Sequence, residues 1–156
     1  MSLYLVQHGK CYAEDVDPDR SLTPDGIAEA TGIANIALGY GVHISEIWHS
    51  GKKRALQTAE IFQSVTGSDR GVKVHPGMGP NDDVAAFTRE FAGEDIMLVG
   101  HLPFMSRLAS YLVTGDSGIP VFRFRNGGLL CLDRNTDTGR WIITCALMPA
   151  AGSAGN

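Results

Sequence analysis

The chain has 156 residues, of which 44% are hydrophobic and 19% charged, and its formal net charge is −4. This size and composition predict one soluble globular domain without a membrane-spanning segment, and the acidic balance argues against a nucleic-acid partner. The three cysteines, Cys11, Cys131 and Cys145, include no C-x-x-C pair, so we expect no disulfide framework and a reducing, cytoplasmic location.

Short apolar runs alternate with stretches of helical periodicity, a pattern typical of an α/β layer fold. Thr23-Pro24-Asp25 predicts a helix N-terminus, and the continuous apolar run at 96–99 predicts a central strand covered on both faces. In chain order we predict a strand at 3–6, a helix at 24–38, a strand at 44–48, a helix at 52–65, a weak strand at 72–74, a helix at 83–91, a strand at 96–99, a helix at 103–113, and strands at 121–124, 129–132 and 141–146.

Chemically reactive side chains follow three of the predicted strands. His8, Ser50 and His101 each come just after a strand and directly before a loop or a helix. In an open α/β sheet, ligands bind in the crevice beyond the carboxyl ends of the strands. The coincidence favours a shared site, although each histidine alone fits a packing role equally well.

Three cations occupy the start of the second predicted helix. Lys52, Lys53 and Arg54 closely follow Ser50, which we expect to cap this helix. The helix dipole makes a cation in this turn unfavourable by about 0.3–1 kcal/mol. An anion bound at the helix start, with Arg54 as its main ligand, explains the arrangement. For the two lysines the alternative is that they point into water.

Four short motifs lie in order along most of the chain. They are Val6-Gln7-His8-Gly9, Leu22-Thr23-x-x-Gly26, Ser50-x-x-x-Arg54-Ala55-x-Gln57-Thr58 and Gly100-His101-Leu102-Pro103. In this combination the chain resembles the histidine phosphatase superfamily, and its short length and last motif resemble the SixA-type branch of phosphohistidine phosphatases. The resemblance implies a phosphoglycerate mutase-like domain over 1–149, with three α/β/α layers and a mostly parallel central sheet. The small and polar residues 150–156 predict a flexible tail.

The resemblance also implies a chemistry. His8 would be a neutral nucleophile that forms a covalent phosphohistidine intermediate, which water would then hydrolyse. Arg54 and a protonated His101 would be the catalytic cations, and the phosphate would also contact Gln7, Gly9 and Ser50. This chemistry needs no metal or other cofactor. The expected substrate is phosphohistidine on a signalling or phosphotransfer partner protein, and phosphate ion is the expected ligand.

Position 7 departs from the family, which usually has arginine where this chain has Gln7. Glutamine can donate a hydrogen bond but carries no charge, and losing a charge-assisted contact costs about 1.5–3 kcal/mol. Lys10 and Lys53 are candidates for restoring part of the charge. Asp82 and Asp83 are candidates for a general acid or base, and Asp83 equally fits as the cap of the helix that follows.

Other functions stay open on the sequence. The same residues fit a general small-molecule phosphomonoesterase, or a weakly active or non-catalytic module that binds phospho-ligands. A metal site of His8, His49 and His101 is a further alternative, which the neighbouring cations disfavour because they would repel a divalent ion. Arg123 and Arg125 alternate on a predicted strand, so we expect them to share a solvated face that is a candidate for docking an acidic partner.

Overall fold

The computed structural model describes residues 1–91 and 93–150, so residues 151–156 of the predicted tail lie outside the described residues. Strands and helices alternate along this part of the chain. They are β1 (Ser2–Gln7), α1 (Pro24–Gly39), β2 (Glu46–His49), α2 (Lys53–Thr66), β3 (Val72–Val74), α3 (Val84–Glu90), β4 (Ile96–Gly100), α4 (Phe104–Thr114), β5 (Leu129–Arg134) and β6 (Trp141–Leu147). None of these helices is long and apolar enough to cross a membrane.

These strands form one sheet in the order β3-β2-β4-β1-β5-β6. Strands β3, β2, β4 and β1 are parallel neighbours, and β5 runs antiparallel between β1 and β6. Helices α1 and α2 cover one face through a core that includes Ile33 and Phe62. Helices α3 and α4 cover the other face through a core that includes Phe87 and Leu108. The predicted three-layer α/β/α fold with a mostly parallel sheet is therefore confirmed.

The strand predicted at 121–124 is wrong. This segment is irregular, and β5, which follows it in sequence, already pairs with β1 and β6 and so offers no free edge. The alternating pattern has another cause. Phe124 is buried and meets Phe122 edge-on at a ring distance of 5.0 Å, while Arg123 and Arg125 are exposed.

The sheet order brings the three chemically reactive strand ends together. Strand β4 lies between β2 and β1, and all three run in the same direction. His8, Ser50 and His101 are the first residues after β1, β2 and β4. They therefore lie beyond the carboxyl ends of three neighbouring strands, where a ligand crevice is expected.

The start of α1 packs closely against the chain that follows β1. The Thr23 hydroxyl caps the helix by accepting from the Gly26 amide at 3.0 Å, and the Thr23 amide donates to the carbonyl of Lys10 at 3.0 Å. A Cβ on Gly26 would lie 2.2 Å from that same carbonyl oxygen, so a side chain does not fit there. The Leu-Thr-x-x-Gly motif thus holds the first turn of α1 beside the residues that follow His8.

Candidate active site

The backbone of His8 is held from two sides. Its amide donates to the carbonyl of Gly100 at 3.0 Å, which continues the pairing of β1 with β4. Its carbonyl accepts from the Asn126 side-chain amide at 3.0 Å and from the Gly127 amide at 3.2 Å. The turn at 126–127 therefore fixes the backbone of His8.

The side chain of His8 is held in one tautomer. Nδ1 lies 2.8 Å from the carbonyl oxygen of Gly9, so Nδ1 carries the proton and donates it, and Nε2 keeps its lone pair. Burial is the main cause that lowers the pKa of His8 to about 4, and the positive charges of Arg54 and Arg20 also lower it. The hydrogen bond to Gly9 acts in the opposite direction and raises the pKa. The imidazole is therefore neutral and nucleophilic near neutral pH.

His101 lies next to His8, with 5.0 Å between the ring centroids. Its Nε2 is 2.5 Å from the hydroxyl oxygen of Ser50, and its Nδ1 is buried with no hydrogen-bond partner within residues 1–91 and 93–150. Burial is the main cause that lowers the pKa of His101 to about 3, and the neighbouring His8, when it is protonated, and the charges of Arg54 and other nearby cations lower it further. His101 is thus neutral here, whereas the resemblance implies a protonated imidazole, and only a nearby anion would favour that form.

Ser50 does not cap α2, contrary to the sequence-based expectation. The helix begins at Lys53, and Lys52 occupies the cap position without a side-chain hydrogen bond. The Ser50 hydroxyl instead faces His101. This contact joins residues 51 positions apart, so local capping rules could not indicate it.

Arg54 and Gly9 are linked through Thr58. The Gly9 amide donates to the Thr58 hydroxyl at 2.9 Å, and that hydroxyl donates to the Arg54 carbonyl at 2.8 Å. Both backbone groups of Gly9 are therefore engaged, since its carbonyl accepts from His8. Gly9 positions the histidine and has no amide left for the phosphate contact that the resemblance implies. The Arg54 Nε is buried with no partner in the described part of the chain.

An open cleft of about 620 Å³ lies over His8. Gln7 lines it, and the Gln7 side-chain oxygen is buried and lacks a hydrogen-bond partner among the described residues. Two charged residues that the sequence did not single out, Arg20 and Asp25, also line the cleft. The sequence signal for Arg20 is weak, because it is one arginine in an acidic loop. Asp25 was interpreted only as the acid in the first turn of α1, which it also is.

The candidate acid/base residues have structural partners. Asp82 accepts from the Gly79 amide at 2.7 Å, and Asp83 caps α3 by accepting from the Ala85 amide at 2.9 Å. Both side chains are exposed, and neither lines the cleft over His8. A role in proton transfer for Asp82 or Asp83 stays a prediction without geometric support.

The two lysines considered as sources of extra charge have acidic neighbours. Lys10 lies 3.3 Å from Glu29, and Lys53 lies 4.0 Å from Asp19. Their charges are thus already balanced locally, which weakens the idea that either of them restores the charge missing at position 7.

The three histidines considered as metal ligands do not come together with further ligands in the part of the chain that the structure describes. The Nδ1 of His49 accepts a hydrogen bond from the Gly51 amide at 3.1 Å. Across residues 1–91 and 93–150, no three histidine, cysteine or acidic side chains lie close enough together to hold a metal ion. This geometry gives the alternative of a site built from His8, His49 and His101 no support.

Comparison with known proteins gives a family and a set of similar folds. A family model described as the histidine phosphatase superfamily (branch 1) matches residues 3–79. The protein histidine phosphatase SixA in complex with tungstate aligns with a TM-score of 0.79 at 23% identity, covering 96% of this chain and 97% of that chain. A protein of Agrobacterium tumefaciens described as a candidate phosphohistidine phosphatase SixA aligns at 0.77 and 27% identity, covering 95% and 97%.

A relative with a different activity is also similar. Phosphoserine phosphatase from Entamoeba histolytica, in complex with 3-phosphoglyceric acid, aligns with a TM-score of 0.66 at 16% identity and covers 97% of this chain and 98% of that chain. No curated protein matches the chain. The matched family, the sheet order and the motifs at the strand ends agree, and the chain belongs to the histidine phosphatase superfamily.

Proposed function

We propose that this protein is a phosphatase that works through a covalent phosphohistidine on His8 and removes phosphate from phosphohistidine on a partner protein. The observation that carries the proposal is the state of His8. Its Nδ1 proton is held by Gly9, its pKa is lowered to about 4, and its ring lies 5.0 Å from that of His101 in an open cleft. A neutral, oriented imidazole with a free Nε2 lone pair is suited to in-line attack on phosphorus.

The proposed reaction has two transfers. In the first, Nε2 of His8 attacks phosphorus, a P–N bond forms, and the bond from phosphorus to the leaving group breaks. In the second, water attacks phosphorus, the P–N bond to His8 breaks, and inorganic phosphate leaves with the histidine regenerated. Both transition states spread charge over the equatorial oxygens, so the protein's task is positioning and electrostatic stabilisation.

Arg54 and His101 are the groups proposed to hold those oxygens. The Nε of Arg54 and the Nδ1 of His101 are buried with no hydrogen-bond partner in the described residues. If Ser50 donates to Nε2 of His101, the neutral ring carries its proton on Nδ1. A phosphate that accepts from these groups would satisfy polar atoms that otherwise cost about 1–3 kcal/mol each. Its negative charge would also raise the pKa of His101 toward the protonated form.

Phosphohistidine as the substrate is supported by the carboxylates around the site. A phosphohistidine ring that is protonated on its second nitrogen leaves as neutral imidazole, which is far less basic than an alkoxide, so it needs no strong general acid. Asp82 and Asp83 are already used by backbone amides and do not line the cleft. The similarity in fold to SixA proteins supports the same substrate class.

A protein as the bearer of the phosphohistidine is supported by a groove beside the site. The groove, of about 460 Å³, is lined by the exposed Leu102, which follows His101, and by Phe122, Arg107 and Arg123. Neither arginine has an ion-pair partner among residues 1–91 and 93–150. An apolar floor with unpaired cations suits an acidic protein surface.

A second candidate function is hydrolysis of small phosphate esters, and one observation favours it. Asp25 is a carboxylate that lines the cleft over His8, where it could protonate an alkoxide leaving group. The structural similarity to a phosphoserine phosphatase is in line with this candidate.

The two candidates are separated by kcat/KM on a phosphohistidine-bearing protein, on free phosphohistidine, and on aryl and sugar phosphates. We expect the phosphoprotein to be preferred by at least about 100-fold, equivalent to about 2.7 kcal/mol of transition-state binding. The Asp25→Asn variant should lose ester turnover and keep phosphohistidine turnover, and Arg123→Glu should raise KM for the phosphoprotein only. A His8→Ala preparation measures contaminating phosphatase.

Preference for the small esters, with turnover that depends on Asp25, would replace the first candidate by the second. Phosphatase activity that is equal in wild type and His8→Ala would contradict both.

A further inference from the structure

The loop between β1 and α1 contains an arginine that has no acidic partner despite its acidic surroundings. The arginine is Arg20, and the loop also contains the acidic residues Glu14, Asp15, Asp17 and Asp19. The Asp17 side chain accepts from the amides of Asp19 and Ser21, each at 3.0 Å, and Asp19 pairs with Lys53 at 4.0 Å. No ion pair within the described residues involves Arg20. Asp17 and Asp19 therefore bind loop amides and Lys53, and neither pairs with the positive charge of the Arg20 guanidinium.

The loop turns Arg20 toward the cleft at an energetic cost. Its backbone has φ = 52°, a left-handed conformation that is uncommon outside glycine and is often found at functional sites. The guanidinium donates to the carbonyl of Tyr12 at 3.3 Å and contacts the sulfur of Cys11 at 3.6 Å. Arg20 is half-buried and lines the same cleft as Gln7 and His8. This arrangement holds a cation in the lining of the cleft.

The positive charges of Arg20 and Arg54 act on one another and on the histidines of the site. Burial is the main cause that lowers the pKa values of His8, Arg54 and His101, and the charge of Arg20 lowers each of them further. Two like charges that act on one another repel, and an anion bound between them would offset the repulsion. A phosphate dianion would remove that repulsion and satisfy the buried, unpartnered Nε of Arg54.

We propose that Arg20 is a phosphate-binding residue that supplies the charge missing at Gln7. Histidine phosphatases usually carry that charge on the strand end, directly before the nucleophile. In this chain it comes from the loop that follows, and the polar side chain of Gln7 lines the same cleft. The proposal rests on the proposed function only in that the ligand is a phosphate-like anion.

The test is the affinity for tungstate, measured by titration calorimetry on the whole chain. We expect Arg20→Ala and Arg20→Gln to weaken binding by about 10- to 100-fold, the loss typical of one charge-assisted contact. Arg140→Ala is the matched control, because Arg140 is exposed at the turn between β5 and β6. It should change the affinity by about twofold or less, as expected for a distant surface charge.

A rescue experiment separates direct binding from support of the loop. Gln7→Arg added to Arg20→Ala should restore most of the tungstate affinity, because it returns a cation to the same anion. Tungstate affinity that is unchanged in both Arg20 variants would overturn the proposal. So would a loss in Arg20→Ala that Gln7→Arg does not recover. Because binding is measured without turnover, a failure of the proposed phosphatase activity would leave this test intact.

Discussion

His8 and His101 are buried imidazoles that lie among cations. Burial is the first cause that lowers their pKa values, to about 4 and about 3, and neighbouring positive charges add to it. In the proposed mechanism the cations that bind phosphate also keep His8 unprotonated, so the same residues would serve both binding and activation. The hydrogen bond from His8 to Gly9 then selects which nitrogen is free.

This environment predicts how stability depends on pH. The pKa values of both histidines lie below the ordinary 6.5, so the unfolded chain binds more protons than the folded chain below that pH. Stability is therefore fully present above about pH 6.5 and is lost as the pH falls toward 4. We expect the free energy of unfolding in urea to drop by about 2–4 kcal/mol in total between about pH 7 and pH 5, because the two interacting histidines titrate as a pair.

The control is the double variant His8→Asn/His101→Asn, which should lose most of this slope. A smaller slope should remain, because burial also lowers the pKa of His49. If the wild-type slope persisted in the double variant, the buried neutral histidines would not be its cause, and the electrostatic description of the site would be wrong.

At the scale of single residues, the sequence could predict the chemistry but not every partner. His8 and His101 stand out because motif and strand end coincide, and Arg54 stands out because it is a motif cation at the start of a helix. Ser50 could be located but not assigned to His101, since that contact depends on how β2 and β4 pair. Arg20 could not be found, because its left-handed backbone is set by loop hydrogen bonds that no periodicity encodes.

At the scale of elements, two of the three glycines in α1 have opposite roles. A side chain on Gly26 would meet the Lys10 carbonyl oxygen at 2.2 Å, whereas nothing lies within 4 Å of a Cβ on Gly32. We expect Gly26→Ala to lower the free energy of unfolding by about 1–3 kcal/mol through overpacking. Gly32→Ala should raise it by about 0.5–1 kcal/mol, because alanine loses less backbone entropy in a helix. Urea unfolding at constant pH measures both.

Equal effects of the two substitutions would contradict the close approach of α1 to the chain after β1. If the contact holds, Gly26→Ala should also reduce activity, since Lys10 is two residues from His8.

Short sequence patterns correctly predicted the helices and strands whose start or burial is encoded in neighbouring residues. The N-cap and proline of α1 and the apolar run of β4 are examples, and both elements are present. The segment at 121–124 shows the limit, because alternation of apolar and polar residues arises in any extended chain that lies on a core. Whether such a segment becomes a strand depends on a free sheet edge, which is a property of the topology.

At the scale of the whole molecule, the order of the strands is what makes the site. Strands β1, β4 and β2 are adjacent, so residues distant in sequence project from one edge of the sheet. Helix α2 then brings Arg54 to that edge, and the loop before α1 brings Arg20. The sequence predicted the strand ends and their shared site, while the shape of the cleft and its second arginine required the assembled fold.

The central claim is that His8 becomes phosphorylated during turnover. It is tested most directly by mixing the protein rapidly with phosphoramidate or a phosphohistidine-bearing protein, quenching in alkali, and locating the phosphate by peptide mass spectrometry. We predict phosphohistidine at His8 in the wild type and in His43→Asn, whose exposed side chain lies outside the cleft, and none in His8→Asn. Turnover with no phosphate on His8, or a label on another residue that persists in His8→Asn, would contradict the account.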